Sequence, residues 1–197
     1  MNDVTDGGFA VIDVEGNGQQ PPEIVEIGVV VLDGIAATGE PVSWMVRPTR
    51  PITSLVTHKV HGITNADVLD APTIDALAPT ILDVLGDRIP IAHNAVVERA
   101  VLGTQLPDWK PPVFLDTLRL ARKVWPGLKS YGLDPLLRHA GIALSTDGQR
   151  HRAGHDAAAT ARLFTMLAAA VNDRQQLIDW AALPVLEPPA EPEGALW

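Results

Sequence analysis

An α/β fold, built on a five-stranded mixed sheet with helices on both faces, is what this sequence predicts, and three observations carry the prediction. Residues Phe9 to Glu15 are apolar on both alternating faces until the last three positions, the pattern of a central strand covered above and below. The first three strand-like runs succeed one another with only turn-forming residues between them, as in an antiparallel meander. After Pro72, short apolar strands alternate with helical segments, the order that lays helices on a sheet.

Each element follows from its local chemistry. Residues 1–8 are acidic and glycine-rich and read as a disordered leader. Strand one covers 9–15, and Gly16 to Pro22 is a turn by every local signal. The β-branched run Glu23 to Leu32 is strand two, Asp33-Gly34 turns the chain, and Pro41 to Arg47 is strand three. Residues 48–72 are loop-rich, with one short helical turn expected around His61-Gly62-Ile63-Thr64 and the residues after it. Thr73 to Leu85 is an amphipathic helix containing Pro79, and Arg88 to Ala92 is strand four. Asn94 stands where an N-cap would open a helix over 95–103. Pro111 to Asp116 is strand five, followed by helices over 117–124, 133–140, 154–171 and 173–182. From Pro184 the chain is rich in Pro and Glu, a composition that buries too little to fold, so the domain is set at 9–183 and the tail at 184–197.

Composition narrows the function. A chain of 197 residues is one ordinary domain with a real core. It has no cysteine, which excludes disulfides and thiolate metal sites. No apolar run suits a bilayer and no signal-peptide pattern opens the chain, so a cytoplasmic protein without membrane contact is expected. The net charge of −9 argues against coating long duplex nucleic acid. Locally the balance reverses: Lys110, Arg119, Arg122, Lys123, Lys129, Arg138, Arg150 and Arg152 face only Asp116, Asp134 and Asp147 in the same stretch, a local +5. Such a patch suits a strand end carrying a few phosphates.

Three clusters carry candidate chemistry. Asp13 and Glu15 leave strand one together, on the face shared with Phe9 and Val11, at the strand end where α/β sheets bind ligands. Two like charges there are costly unless a cation lies between them, and hard divalent ions take oxygen ligands. The plain alternative is a solvated acid pair. In the second cluster, His93-Asn94-Ala95-Val96-Val97-Glu98, Asn94 has the alternative role of N-cap and Glu98 that of a first-turn acid favoured by the helix dipole. In the third, Asp156 shares one helical stripe with Thr160, Leu163 and Leu167, so a carboxylate opens the core-facing side of its helix. Gly154 leaves His151 free to sit in the preceding loop and swing back over Asp156, with His155 as its competitor.

Read together, VIDVEGNG at 11–18, IAHNAVVERAVL at 91–102 and HRAGHDAAAT at 151–160 resemble the DEDDh-type 3′–5′ exonucleases of the ribonuclease H-like superfamily, among them the polymerase III epsilon proofreading subunit, ribonuclease T and oligoribonuclease. HGIT at 61–64, FLDTLRLAR at 114–122 and YGLDPLLRHAGI at 131–142 add to the likeness, which covers about residues 9–171. The Tyr-bearing sister branch would place tyrosine at position 152, where this chain has Arg152.

The resemblance implies a ribonuclease H-like fold and two-metal hydrolysis of phosphodiesters. Asp13, Glu15, Glu98 and Asp156 would hold two Mg²⁺ or Mn²⁺ ions about 3.5–4 Å apart. His151 would take the proton of the attacking water, a task suited to an imidazole. Gly16, Asn17, His61 and Asn94 would line the terminal nucleotide. The implied substrates are single-stranded or frayed 3′ ends of DNA or RNA, released as nucleoside 5′-monophosphates, and the implied partner is a polymerase or its clamp. An RNA- or oligonucleotide-trimming enzyme and a catalytically weakened accessory subunit are the alternatives. Two departures stand out. Gly16-Asn17-Gly18 replaces the family's Thr-Thr-Gly, which implies fewer side-chain contacts near the 3′ end, and Val97-Glu98 replaces Phe-Asp. The extra methylene moves the carboxylate by roughly 1.5 Å, which favours Mn²⁺ over Mg²⁺, and the smaller Val97 is expected to make room for it. Gln176-Leu177-Ile178-Asp179-Trp180 has a faint likeness to a clamp-binding peptide, with an ordinary amphipathic turn as the alternative.

Overall fold

The structure, a computed structural model, describes residues 8–143 and 151–184. The expected leader and tail, apart from Gly8 and Pro184, lie outside them, as do Asp147 and Arg150. Among the described residues six strands form one mixed sheet: β1 (Gly8–Gly16), β2 (Ile24–Asp33), β3 (Ala36–Ala37), β4 (Val42–Met45), β5 (Ile89–Ala92) and β6 (Leu115–Asp116). The order is β3-β2-β1-β5-β6, with β4 also paired to β2. β2 runs antiparallel to β1, whereas β5 and β6 are parallel to it. All five predicted strands are present, and the two-residue β3 is additional. Pro111 and Pro112 donate no backbone N–H, and β6 shrinks to Leu115–Asp116. Its outer edge is covered where Leu183 N–H donates to the Phe114 carbonyl at 2.8 Å.

The helices are α1 (Ser54–Val56), which runs into a π-helical turn over Thr57–His61, then α2 (Ile74–Leu85), α3 (Val96–Gln105), α4 (Thr117–Val124), α5 (Leu133–His139), α6 (Ala153–Ala168) and α7 (Arg174–Ala181). Most ends fall within two or three residues of the predicted ones. Asn94 is the exception of consequence. It has φ 61°, in the left-handed region, and Ala95 is the N-cap, so the capping role expected for Asn94 is not the one it fills.

β1 divides two cores, as its alternation predicts. Phe9 and Val11 pack with Leu163, Phe164 and Leu167 of α6 and with residues of α4, α5 and α7. The Phe9 and Phe164 ring centroids lie 5.2 Å apart. Ala10 and Ile12 pack on the other side with Leu77 and Ile81 of α2 and Val101 and Leu102 of α3. Asp13 and Glu15 therefore continue the face that carries α6. The first turn of α6 lies directly on β2 at Gly28: a Cβ there would stand 2.3 Å from the Ala153 carbonyl. Only glycine permits that approach. Among the described residues no helix is long and apolar enough to cross a membrane.

Candidate active site

The parallel strands β1, β5 and β6 all end at one edge of the sheet, and helices α3, α4 and α6 begin near it. Each of those first turns carries or follows an acid: Glu98 in α3, Asp116 as N-cap of α4, Asp156 in α6. Asp116 has a structural task. Its Oδ1 accepts from Leu118 N–H and from Asn94 N–H, both at 2.9 Å, which joins α4 to the left-handed residue after β5.

Glu15, His151 and Asp156 converge: one ligand atom from each lies within 4.8 Å of the other two. His151 Nδ1 is 3.9 Å from Asp156 Oδ2. His151, and not His155, belongs to this group. Its φ is 60°, and among the described residues it and Asn94 are the non-glycine residues held at positive φ. Such backbone costs on the order of 1–3 kcal/mol and persists where surrounding structure enforces it. The glycine at 154 does not lie in the loop: Gly154 is the second residue of α6, where an added Cβ would stand 3.4 Å from the Ser43 side chain. His151 reaches Asp156 through its own left-handed backbone instead.

Asp13 and Glu98 lie outside that triad but share its field. Burial, and then the charges of Glu98, Asp156 and Glu15, push the Asp13 carboxyl well above its ordinary range. Burial and the Asp156 charge push Glu15 up to about 8, while Arg152 pulls it down. Burial pushes Glu98 up to about 8 as well. Glu98 is only 7% exposed, on the inner side of α3, so it is not the solvated first-turn acid of the plain alternative. Its Oε2 is buried without a hydrogen-bond partner. Val97 is half exposed, on the outer side of α3, so it does not make room beside Glu98 as expected.

The nucleotide-lining residues separate into two kinds. His61 is buried; its Nδ1 accepts from Ile63 N–H at 3.0 Å. Its Nε2, 3.0 Å from the Gly16 carbonyl, must then be the protonated nitrogen, because a carbonyl only accepts. Asn17 is fully buried. Its Oδ1 accepts from Gln19 and Glu23 N–H, and its Nδ2 donates to the Arg50 carbonyl. The Asn17 side chain thus shapes the Gly16 loop from inside, while Asn94 is exposed at the β5 end of the same edge.

Sequence reasoning missed Glu26. It pairs directly across from Glu15 in the β1–β2 register and is 3% exposed. Arg152 Nε and Nη2 donate to its two oxygens at 2.9 and 2.8 Å, and Ala153 N–H adds a third bond at 2.9 Å. Arg152 therefore does not serve the basic patch. Arg119, Arg122, Lys123, Lys129 and Arg138 are exposed along α4, α5 and the segment between them. The clamp-like peptide is also reassigned, because Leu177 lies fully buried in the core within α7.

Residues 10–164 match the exonuclease family. The chain is 32% identical over 192 residues to the DNA polymerase III subunit epsilon of Aquifex aeolicus (strain VF5), covering 94% of this chain and 93% of that protein. It is 35% identical over 166 residues to the PolC-type DNA polymerase III of Caldanaerobacter subterraneus subsp. tengcongensis, of which it spans only 11%. Among solved structures, exonuclease X in complex with 5′ overhanging duplex DNA superposes with a TM-score of 0.72 at 31% identity, covering 87% of this chain and 98% of that one. The fold is ribonuclease H-like, and enzymes of this kind use divalent metal ions. The chain belongs to the exonuclease family and is a 3′–5′ exonuclease, a phosphodiester hydrolase.

Proposed function

We propose that the enzyme trims single-stranded or frayed 3′ ends of DNA with the help of two divalent ions, Mg²⁺ or Mn²⁺, carried by Asp13, Glu15, Glu98 and Asp156, and releases nucleoside 5′-monophosphates. The observation that carries this reading is the buried, unpartnered Oε2 of Glu98 at an edge where the Asp13 and Glu15 carboxyls are also held above their ordinary range. Acids in that state fit a cation better than they fit protein donors. When bound, the ions supply charge compensation for the carboxylates and for the phosphate, and lower the pKa of water.

The protein's own residues do the rest. His151 keeps Nδ1 toward Asp156, which leaves Nε2 to take the proton of the attacking water. The Gly16–Asn17 backbone, braced by His61, and the exposed Asn94 line the terminal nucleotide from either side. The exposed cations of α4 and α5 guide the phosphates of the incoming strand. DNA as substrate is supported by the DNA-bound exonuclease X structure and by the epsilon relative, whose name also supports a polymerase partner; a role in DNA repair and a cytoplasmic setting belong to the same proposal.

Digestion of 5′-labelled single-stranded DNA, matched RNA and blunt duplex, each with Mg²⁺, Mn²⁺ or EDTA, tests this. Single-nucleotide steps from the 3′ end of single-stranded DNA, abolished by EDTA, are expected. Full activity without metal, or equal cleavage of a blunt duplex, would refute the reading, and a preference for RNA would reassign the substrate.

A further inference from the structure

We propose that Glu26 and Arg152 form a positioning clamp that fixes His151 over the carboxylates. This rests on the reading of His151 as the proton acceptor and extends it to two residues outside the group in which Glu15, His151 and Asp156 converge.

His151 is half exposed and comes immediately before Arg152, the N-cap residue of α6. Arg152 has no local side-chain cap bond; its guanidinium instead reaches across to β2 and grips Glu26 through two parallel bonds. The same carboxylate accepts the Ala153 N–H, so one buried acid holds the two residues that follow His151. Gly28, two residues further along β2, lets Ala153 rest on the strand backbone. These contacts leave the chain little freedom just after His151, and the strained φ of 60° at His151 is what directs its ring back toward Asp156. Fork-to-carboxylate geometry is needed here, because a lysine supplies a point charge without the second bond. The pair also has an electrostatic logic. Glu26 alone would add a further negative charge beside Glu15, and Arg152 offsets it.

The test is a double-mutant cycle in the full-length chain. Arg152→Lys and Glu26→Gln are measured alone and combined with His151→Ala, with a single-stranded oligonucleotide and Mn²⁺, alongside thermal melting. Each clamp variant is expected to lower kcat on the order of 10–100-fold, the scale of outer partners that orient a catalytic group, with KM changed by less than about threefold, since binding groups are untouched. In the His151→Ala background the further loss should shrink to less than about threefold. If the full loss recurs on that background, or if Arg152→Lys keeps wild-type turnover, the clamp does not act through His151. A second readout needs neither metal nor turnover: the His151 ring resonances of the metal-free protein should move toward solvent-exposed values in Arg152→Lys. Unchanged resonances overturn the clamp, even where His151→Ala alone retains activity and so refutes the base assignment instead.

Discussion

Two polar regions lie side by side at the same sheet edge, two residues apart in sequence, and they are built on opposite terms. Around Asn17 every side-chain polar atom has a partner: the amide oxygen receives two backbone N–H groups and the amide nitrogen reaches the Arg50 carbonyl. Nearby, Glu23 is held below its usual range, although burial opposes it, because Arg50 and Thr49 donate to it. Around Glu15 and Glu98 burial is not offset in that way, and both carboxyls are pushed up to about 8. A satisfied buried polar group stabilises structure, and an unsatisfied one costs on the order of 1–3 kcal/mol. The first region is therefore read as architecture and the second as a site held open for a cation and its substrate.

The largest expected break in that contrast is His151→Ala. It should lower turnover by roughly 10²–10⁴-fold, the scale of general-base loss, while Mn²⁺ affinity measured by calorimetry largely survives. If His155→Ala has that effect and His151→Ala does not, the two histidines exchange roles. Next comes Glu98. Glu98→Ala should cost about 100-fold or more and weaken Mn²⁺ binding. Glu98→Asp should keep part of the activity and raise the Mg²⁺ to Mn²⁺ activity ratio, because the smaller, stricter ion gains most from the shorter acid. Turnover and metal affinity unaffected by Glu98→Ala would reduce the site to three carboxylates.

Asn17→Ala probes the other region. It strands the Gln19 and Glu23 N–H groups, so denaturant unfolding should show a loss of about 2–4 kcal/mol. Mn²⁺ affinity per folded molecule should change little; a large loss would merge the two regions into one.

The last expected effect is a pH dependence of opposite sign to the usual carboxylate case. Glu15 and Glu98 have folded pKa values raised from 4.5 to about 8. Between those values the folded state binds more protons than the unfolded one, so stability of the metal-free protein should fall as pH rises from about 5 to about 8. Melting temperatures in EDTA test this, and Mn²⁺ should raise the melting point more at pH 8 than at pH 6. A melting point in EDTA that rises across this window would show the cluster to be ionised and satisfied by the protein alone.

Much of this was legible in the linear chain. β1 announces itself, since Phe9 to Ile12 are apolar on both faces and Asp13 and Glu15 follow in phase. The α6 stripe is equally plain, with Thr160, Leu163 and Leu167 buried as the helical period requires. Glu98 could be placed at a helix start, but its burial could not be read, because a first-turn acid looks the same whether it faces water or a sheet. Asn94 misled for a related reason: its residue type suits both an N-cap and a left-handed turn, and the bond from its backbone to Asp116, 22 positions away, is what accompanies the second. In the basic stretch, Arg152 counted as one more surface cation until its partner came into view.

What the sequence alone determined is whatever depends on short-range periodicity and residue type: the central strand, the helices, the three acid-bearing blocks and the histidine five positions before Asp156. What tertiary structure decided is which of those groups share a volume. Glu26 and Arg152 are 126 positions apart, and nothing in local pattern joins them. They meet because β2 pairs antiparallel to β1 and Gly28 lets the start of α6 rest on its backbone. Burial, and with it the rise of the Asp13, Glu15 and Glu98 carboxyls above their ordinary range, comes from the same packing, since desolvation depends on every atom nearby and not on neighbours in the chain.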